Sequence, residues 1–256
     1  MPEITGIDRE LIESTMRKAH IPGVSIAYRD AKTTTPSTTN IGITDTRDTS
    51  IVRDVQDDTV FGAASLSKPV FAYLVLKLIE KGVLSRPGES AESGLDRPLS
   101  ELFSLGTFFK NKLSYADAVR AGTITPRMLL SHTSGLGIDA SASLSFTPGT
   151  EYAYSGMGLK YLQRVIEERT GKSLGALAQE HVFGELALDM KKSSFVPPGA
   201  SEDKADAANS LYTTASDYTK LMAAWMQDPS PIMQQAFVRQ ISLTQDNQRL
   251  PGESNP

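Results

Sequence analysis

Between Val70 and Gly82 the chain carries the pattern that most restricts its fold. Val70, Phe71, Leu74, Val75, Leu78 and Ile79 recur at spacings of three and four, and Lys81-Gly82 ends the run as a helix C-terminus. Just ahead, Phe61-Gly-Ala-Ala-Ser65-Leu-Ser-Lys68-Pro-Val70 sets a hydroxyl and an amine one turn apart at the mouth of this apolar helix. Residues i and i+3 share a helix face, so the Lys68 ammonium reaches the Ser65 hydroxyl. Apolar surroundings ease the loss of a lysine proton, and a neutral lysine accepts a proton from serine. Backbone N–H groups left free at a helix start suit a developing oxyanion. The spacing alone favours a plain N-cap for Ser65 over a nucleophile, and context has to overturn that reading. The same spacing recurs at Ser201-Glu-Asp-Lys204, in a polar run with no apolar helix after it.

Composition narrows the chemistry. A chain of 256 residues suffices for one large domain or two small ones with a real core. Lys+Arg 26 against Asp+Glu 30, a net charge of −4 without a basic block, indicates no nucleic acid and no acidic membrane as partner. With Cys 0, disulfides, a thiolate nucleophile and a cysteine metal site are all ruled out. His20, His132 and His181 lie far apart with no H-E-x-x-H pair, so no metal and no cofactor is expected. A G-x-S-x-G elbow, which a Ser-His-Asp hydrolase of the α/β-hydrolase kind needs, is absent. The start lacks a charged-then-apolar leader and no apolar run approaches membrane-spanning length. The expectation is a soluble, cytoplasmic protein, although a periplasmic or secreted protein with its leader removed reads the same way.

Along the chain, Asp8 caps a first helix with Leu11, Ile12, Met16 and Ala19 on one face and Pro22-Gly23 at its end. Val24, Ile26 and Tyr28 then alternate, a Thr-rich loop runs from Lys32 to Asn40, and Ile41 and Ile43 alternate again, giving two strands. A polar connection from Asp45 to Asp58 follows. Leu84 to Ser100 reads as a surface loop and the stretch to Gly122 as mixed. Thr125-Pro126 opens a helix through His132 that stops at Gly135. Further helices are predicted near Met157–Thr170, Leu174–Val182, Ala215–Met226 and Pro231–Ile241, before a polar tail from Thr244 to Pro256. Two strands near the start are thus the only clear ones, and an isolated hairpin is marginal in water. Either it packs on helices or its partner strands belong to sequence after Pro256.

A second constellation is Phe146-Thr-Pro-Gly-Thr-Glu-Tyr152-Ala-Tyr154-Ser-Gly156, a turn-rich loop that delivers two tyrosines ahead of a helix. A tyrosine whose pKa is lowered by a nearby cation, here Lys68, serves as acid or base. Taken alone, the segment reads rather as two half-buried aromatics that anchor a loop.

Together and in order, Val60 to Lys68, Ile124-Thr-Pro-Arg-Met-Leu-Leu-Ser-His132-Thr-Ser-Gly-Leu136, Pro148 to Gly156 and Leu211-Tyr-Thr-Thr-Ala-Ser-Asp217 resemble the serine β-lactamase and penicillin-binding-protein superfamily. The branch is that of class C β-lactamases, D-aminopeptidases and family VIII carboxylesterases, and Ile21-Pro-Gly-Val-Ser-Ile-Ala27 resembles its first strand. The resemblance implies an α+β fold, an antiparallel sheet with flanking helices plus an inserted mostly helical domain. On that plan residues 1–62 form the start of the α/β domain, 63–242 the mostly helical part and 243–256 a polar tail. It further implies Ser65 as acylated nucleophile, Lys68 as its basic partner, Tyr154 as the proton shuttle and His132 as a packing and hydrogen-bonding residue. The implied substrates are small esters, amides or β-lactams, and nothing fixes the oligomeric state.

Two departures shape the expected activity. Where many members have Asn two residues after the tyrosine, this chain has Gly156, a substrate-binding position that here tilts the expectation toward carboxylester hydrolysis or acyl transfer and away from β-lactams and D-amino-acid peptides. The third box, Lys-Thr-Gly or His-x-Gly on a strand lining the site, does not occur after Asp217. That strand supplies an oxyanion N–H, and losing one such donor costs on the order of a hundredfold in rate. The expectation is therefore a chain lacking the C-terminal strands of the sheet, as a truncated form or one completed otherwise. The contrasting expectation is a relative that keeps the fold as a binding or scaffold protein with an impaired site.

Overall fold

Asp8 starts α1 (Arg9–Ala19) by accepting the Leu11 N–H at 2.9 Å. The helix ends at His20, ahead of Pro22-Gly23: His20 turns left-handed, φ 55°, and its N–H and that of Ile21 return to Arg17 and Met16. Only Met16 is buried on α1, and Leu11 faces solvent. The computed structural model describes residues 6–30, 33, 35–44, 52–138, 141–184, 187–197, 199–244 and 248–249. Lys32 and residues 45–51, the start of the polar connection, lie outside them, as does most of the C-terminal tail.

β1 (Gly23–Tyr28) pairs antiparallel with β2 (Ser37–Gly42), Gly23 opposite Gly42 and Tyr28 opposite Ser37. The second strand thus takes in residues 37–40, which the sequence assigned to the Thr-rich loop. Thr38 and Thr39 are buried there, and β-branched side chains suit a pleated surface. β3 (Phe61–Ala64) follows, then α2 (Ser67–Glu80). The six apolar residues predicted for α2 are all buried, and Tyr73 and Leu76 join them, so the helix is enclosed on nearly every side. Gly82, φ 75°, closes it, with its N–H on Ile79 O and that of Val83 on Leu78 O.

The segment 84–100 is not a surface loop. Leu84, Leu95 and Leu99 are buried, and tight turns at Ala91–Leu95 and Leu99–Glu101 press them into the core. The mixed stretch holds α3 (Leu105–Phe108) and α4 (Tyr115–Ala121), capped by Ser104 and Ser114 but too short to present a helical period. Thr125 caps α5 (Pro126–Leu130) as expected, yet the helix stops at Leu130 because His132 is left-handed at φ 58°. β4 (Tyr152–Ala153) leads into α6 (Gly156–Thr170), which ends at Gly171, φ 69°. α7 (Leu174–Ala178) widens into a π turn at Gln179–Phe183. β5 (Leu211–Thr213), α8 (Ala215–Gln227), α9 (Pro231–Gln234) and β6 (Gln248–Arg249) complete the order. The last predicted helix is thus shorter than 231–241, giving way to a tight turn at Gln235–Phe237.

The strands number more than the sequence suggested. β3 pairs antiparallel with β5, irregularly between Gly62 and Ala64, and β4 pairs in parallel with β6, inside the expected tail. The β1–β2 hairpin packs on α8, while α2 at the centre touches α7, α9 and the turns at 91–95 and 179–183. Among the described residues no helix is long and apolar enough to cross a membrane.

Leu74 and Leu11 test this division between core and surface. Leu74→Ala, at a fully buried position of α2, is expected to cost about 2–5 kcal/mol in denaturant unfolding, whereas Leu11→Ala stays within about 0.5 kcal/mol. Equal losses at the two positions would contradict it.

Candidate active site

Ser65 sits in the turn between β3 and α2, exposed to solvent, and not as a cap of the helix. The residue before it, Ala64, holds φ 45°, a region that costs a residue with a Cβ on the order of 1 kcal/mol or more. Ser67 keeps the turn in that shape. Its hydroxyl, fully buried, donates to Ala64 O at 2.6 Å and accepts the Leu211 N–H at 2.8 Å, which ties the turn to β5.

Lys68 Nζ lies 3.1 Å from Ser65 Oγ, the contact expected of a pair three apart on a helix. It also donates to Ala208 O at 2.7 Å and stands 4.7 Å from the centre of the Tyr154 ring. Its head is therefore set among polar atoms, a correction to the apolar surroundings expected for it. The free N–H groups expected around Ser65 are likewise partly engaged: that of Leu66 bonds Ala63 O at 3.0 Å and that of Lys68 bonds Ser65 O at 3.1 Å.

From the far side Tyr154 Oη donates to Ser65 Oγ at 2.9 Å, so the hydroxyl has an amine on one flank and a phenol on the other. Burial raises the Tyr154 pKa, but hydrogen bonding with Lys68 and Ser65 and the Lys68 charge outweigh it and bring the phenol below its ordinary value. Tyr152 instead lies edge-on to the His132 ring, 6.0 Å between centres. Gly156 is the first residue of α6, and a Cβ there would meet Ala208 Cβ at 3.6 Å and Ile138 O at 3.9 Å, ordinary contacts.

His132 accepts the Ser155 N–H on Nδ1 at 3.1 Å and packs against Tyr154 with ring centres 4.8 Å apart. Burial, then the Lys68 charge, push its pKa down to about 4. Gly135 allows this segment its path: it holds φ 80°, and a Cβ there would come within 2.6 Å of Phe146 O. Asp217 is buried and structural, accepting from Lys192 N and Ser193 Oγ and pairing with Lys220 at 3.0 Å.

Ser67 and Ala208 are the contributors that sequence reasoning missed. Ser67 carries no spacing signal, and a backbone carbonyl such as that of Ala208 carries none at all. Gln163 of α6 holds the Ala208 loop from both sides, accepting from Ala207 N at 2.9 Å and donating to Ala205 O at 3.1 Å. Beside Lys68 and His132 opens a cavity of about 330 Å³ whose walls include Pro69, Ala72, Leu76, Leu130, Leu159 and Trp225. Among the described residues no three His, Cys, Asp or Glu side chains gather as metal ligands would.

Ser67→Ala orphans the Leu211 N–H, which is buried, and removes a partner of the Ala64 carbonyl, so a loss of about 1–3 kcal/mol is expected in equilibrium unfolding. A variant as stable as the original would show that the Ala64 turn is held by other means.

Comparison with known proteins bears on this geometry. The chain is 32% identical to Esterase EstB of Burkholderia gladioli over 53% of its own length and 39% of that protein's, and 31% identical to Lovastatin esterase of Penicillium rubens over 56% and 41%. It thus spans about two-fifths of the length of these curated relatives. The fold is similar to that of D-alanine carboxypeptidase AmpC from Burkholderia cenocepacia, with a TM-score of 0.66 at 21% identity over 89% of this chain and 66% of that one, so the architecture is the β-lactamase-like α+β fold. With residues 9–254 matching the pattern of the family described as Beta-lactamase, the chain belongs to the Beta-lactamase family.

Proposed function

We propose that the protein is a serine hydrolase or acyltransferase working through a covalent acyl-Ser65, with carboxylic esters as its substrates. The observation that carries this reading is the placement of Ser65 Oγ within hydrogen-bond reach of both Lys68 Nζ and Tyr154 Oη, at 3.1 and 2.9 Å. Ser65 gives its proton to the Lys68–Tyr154 pair as Oγ bonds the ester carbonyl carbon. The same proton passes to the leaving alkoxide as the carbon–oxygen bond breaks, and acyl-Ser65 remains. Water or an alcohol then loses a proton to the pair as its oxygen bonds the acyl carbon, and the pair returns that proton to Ser65 Oγ as the acyl carbon–Oγ bond breaks, releasing the acid or the new ester.

Gly156 supports esters over β-lactams and D-amino-acid peptides, since no side-chain amide projects from this position to hold an amide substrate. The apolar cavity beside Lys68 supports the same choice, because it suits the hydrocarbon part of an ester. The two esterases among the relatives agree with it.

Intact mass after incubation with a short-chain nitrophenyl ester and, separately, a penicillin tests the nucleophile, with Ser65→Ala as control. An ester-derived mass gain that vanishes in the variant is the expected result. A penicillin adduct alone would move the activity to β-lactam or D-peptide chemistry, and no adduct from a folded chain would favour the binding-protein reading.

A second test concerns the proton. Because Lys68 lowers the Tyr154 pKa, a step that needs the phenolate gains rate as pH rises through a midpoint below that of free phenol. Lys68→Gln is expected to move that limb to higher pH and to lower kcat/KM on the order of a thousandfold. An unmoved limb would remove Lys68 from the proton path.

A further inference from the structure

His132 meets the chain on every side of Tyr154. Its carbonyl accepts the Ala153 N–H at 2.9 Å, its Nδ1 accepts the Ser155 N–H at 3.1 Å, and its ring packs on Tyr154 itself at 4.8 Å between centres. The same segment reaches Ser155 again through Gly137, whose carbonyl accepts from Ser155 Oγ at 2.9 Å. That Oγ in turn accepts the Gly158 N–H at 2.8 Å, which fixes the start of α6.

We infer that His132 is a positioning residue for Tyr154, gripping the backbone before and after the tyrosine so that its Oη stays in reach of Ser65. The inference rests on the reading of Tyr154 as the acid and base partner of Ser65. His132 is not itself the base: with Nδ1 taken by an N–H donor, the neutral ring keeps its proton on Nε2 and has no free lone pair for a second one. General packing would not account for two backbone bonds addressed to residues 153 and 155 and a ring contact to residue 154. The backbone of His132 is left-handed, φ 58°, a conformation uncommon for residues with a Cβ though less so for His, and it is held where these three contacts converge.

Charge fits the role. The titratable groups facing the imidazole are Lys68 from α2 and Tyr152 and Tyr154 at β4, with Arg127 on the wall of the shared cavity. A neutral ring adds no second cation beside Lys68. It also keeps Nδ1 an acceptor at neutral pH, which the Ser155 N–H requires.

The test uses the full chain and the nitrophenyl ester, comparing His132→Leu, which keeps bulk but loses the acceptor, with His132→Asn, whose amide oxygen restores one near Nδ1. His132→Leu is expected to lower kcat ten- to a hundredfold with KM little changed and to move the Tyr154 limb of the pH profile toward the ordinary phenol value. His132→Asn is expected to recover most of the rate. A wild-type pH limb in a folded His132→Leu, or no recovery in a folded His132→Asn, would overturn the inference. Should both variants unfold, nitrogen-15 NMR of histidine-labelled wild-type protein decides: the Nε2–H tautomer persisting to about pH 5 supports the grip on Ser155, and an Nδ1–H tautomer refutes it. Tyr154→Phe separates the two readings. If it keeps full rate, the role of Tyr154 falls, and if it loses rate while His132→Leu does not, only the role of His132 falls.

Discussion

A single hydroxyl, that of Ser67, holds together the turn on which the site is built. It is closed off from water and bonds a carbonyl at one end of the turn and an N–H on a strand far along the chain. Leaving the buried Leu211 N–H unpaired would be costly, so the hydroxyl fixes where β5 runs relative to the start of α2. Ala64 is kept in its left-handed conformation by this arrangement, and Ser65 is turned outward as a result. The nucleophile candidate is exposed because its neighbour two residues on is buried.

From there the site is assembled by layers. The burial of α2 gives Lys68 a rigid base, and Gln163 on α6 sets the loop whose Ala208 carbonyl steers the ammonium. Tyr154 arrives from the opposite side just after the short strand β4, held by the segment after α5. Lys68 thus has a fixed direction, and the phenol stands close enough to feel its charge. Apart from the Ser65–Lys68 pair and the Ser67 bond to Ala64, the contacts of this geometry join segments far apart in the chain.

That contrast explains what was legible in the sequence. Ser65 and Lys68 lie three apart ahead of an apolar helix, which put them within reach on paper and let the other family segments single them out, and α2 and α6 are long enough to show their period. Thr125-Pro126 and Gly171 are terminal signals with their own chemistry, and both hold. The strands β3, β4, β5 and β6 run only two to four residues, less than alternation needs to become visible. The segment 84–100 misled for another reason: its Gly, Pro and Ser describe an irregular backbone correctly, but three leucines anchor that backbone inside. Composition reads the shape of a connection better than its depth. The Ser67 and Ala208 contacts escaped because their partners are backbone atoms, which no side-chain pattern marks.

The spacing of these contacts along the chain has its own consequence. Tyr154 stands 89 residues beyond Ser65, and the carbonyl that steers Lys68 belongs to a residue 140 positions further on. During synthesis a chain that has not yet reached Tyr154 contains Ser65, Ser67 and Lys68 but neither the phenol, the Ala208 carbonyl nor the Leu211 N–H that they bond in the fold. Closing such long loops precedes any reward from the contacts they allow. Until the segments that carry Tyr154 and Ala208 have been made and docked, Ser65 lacks its phenol contact and the Lys68 ammonium its backbone partner.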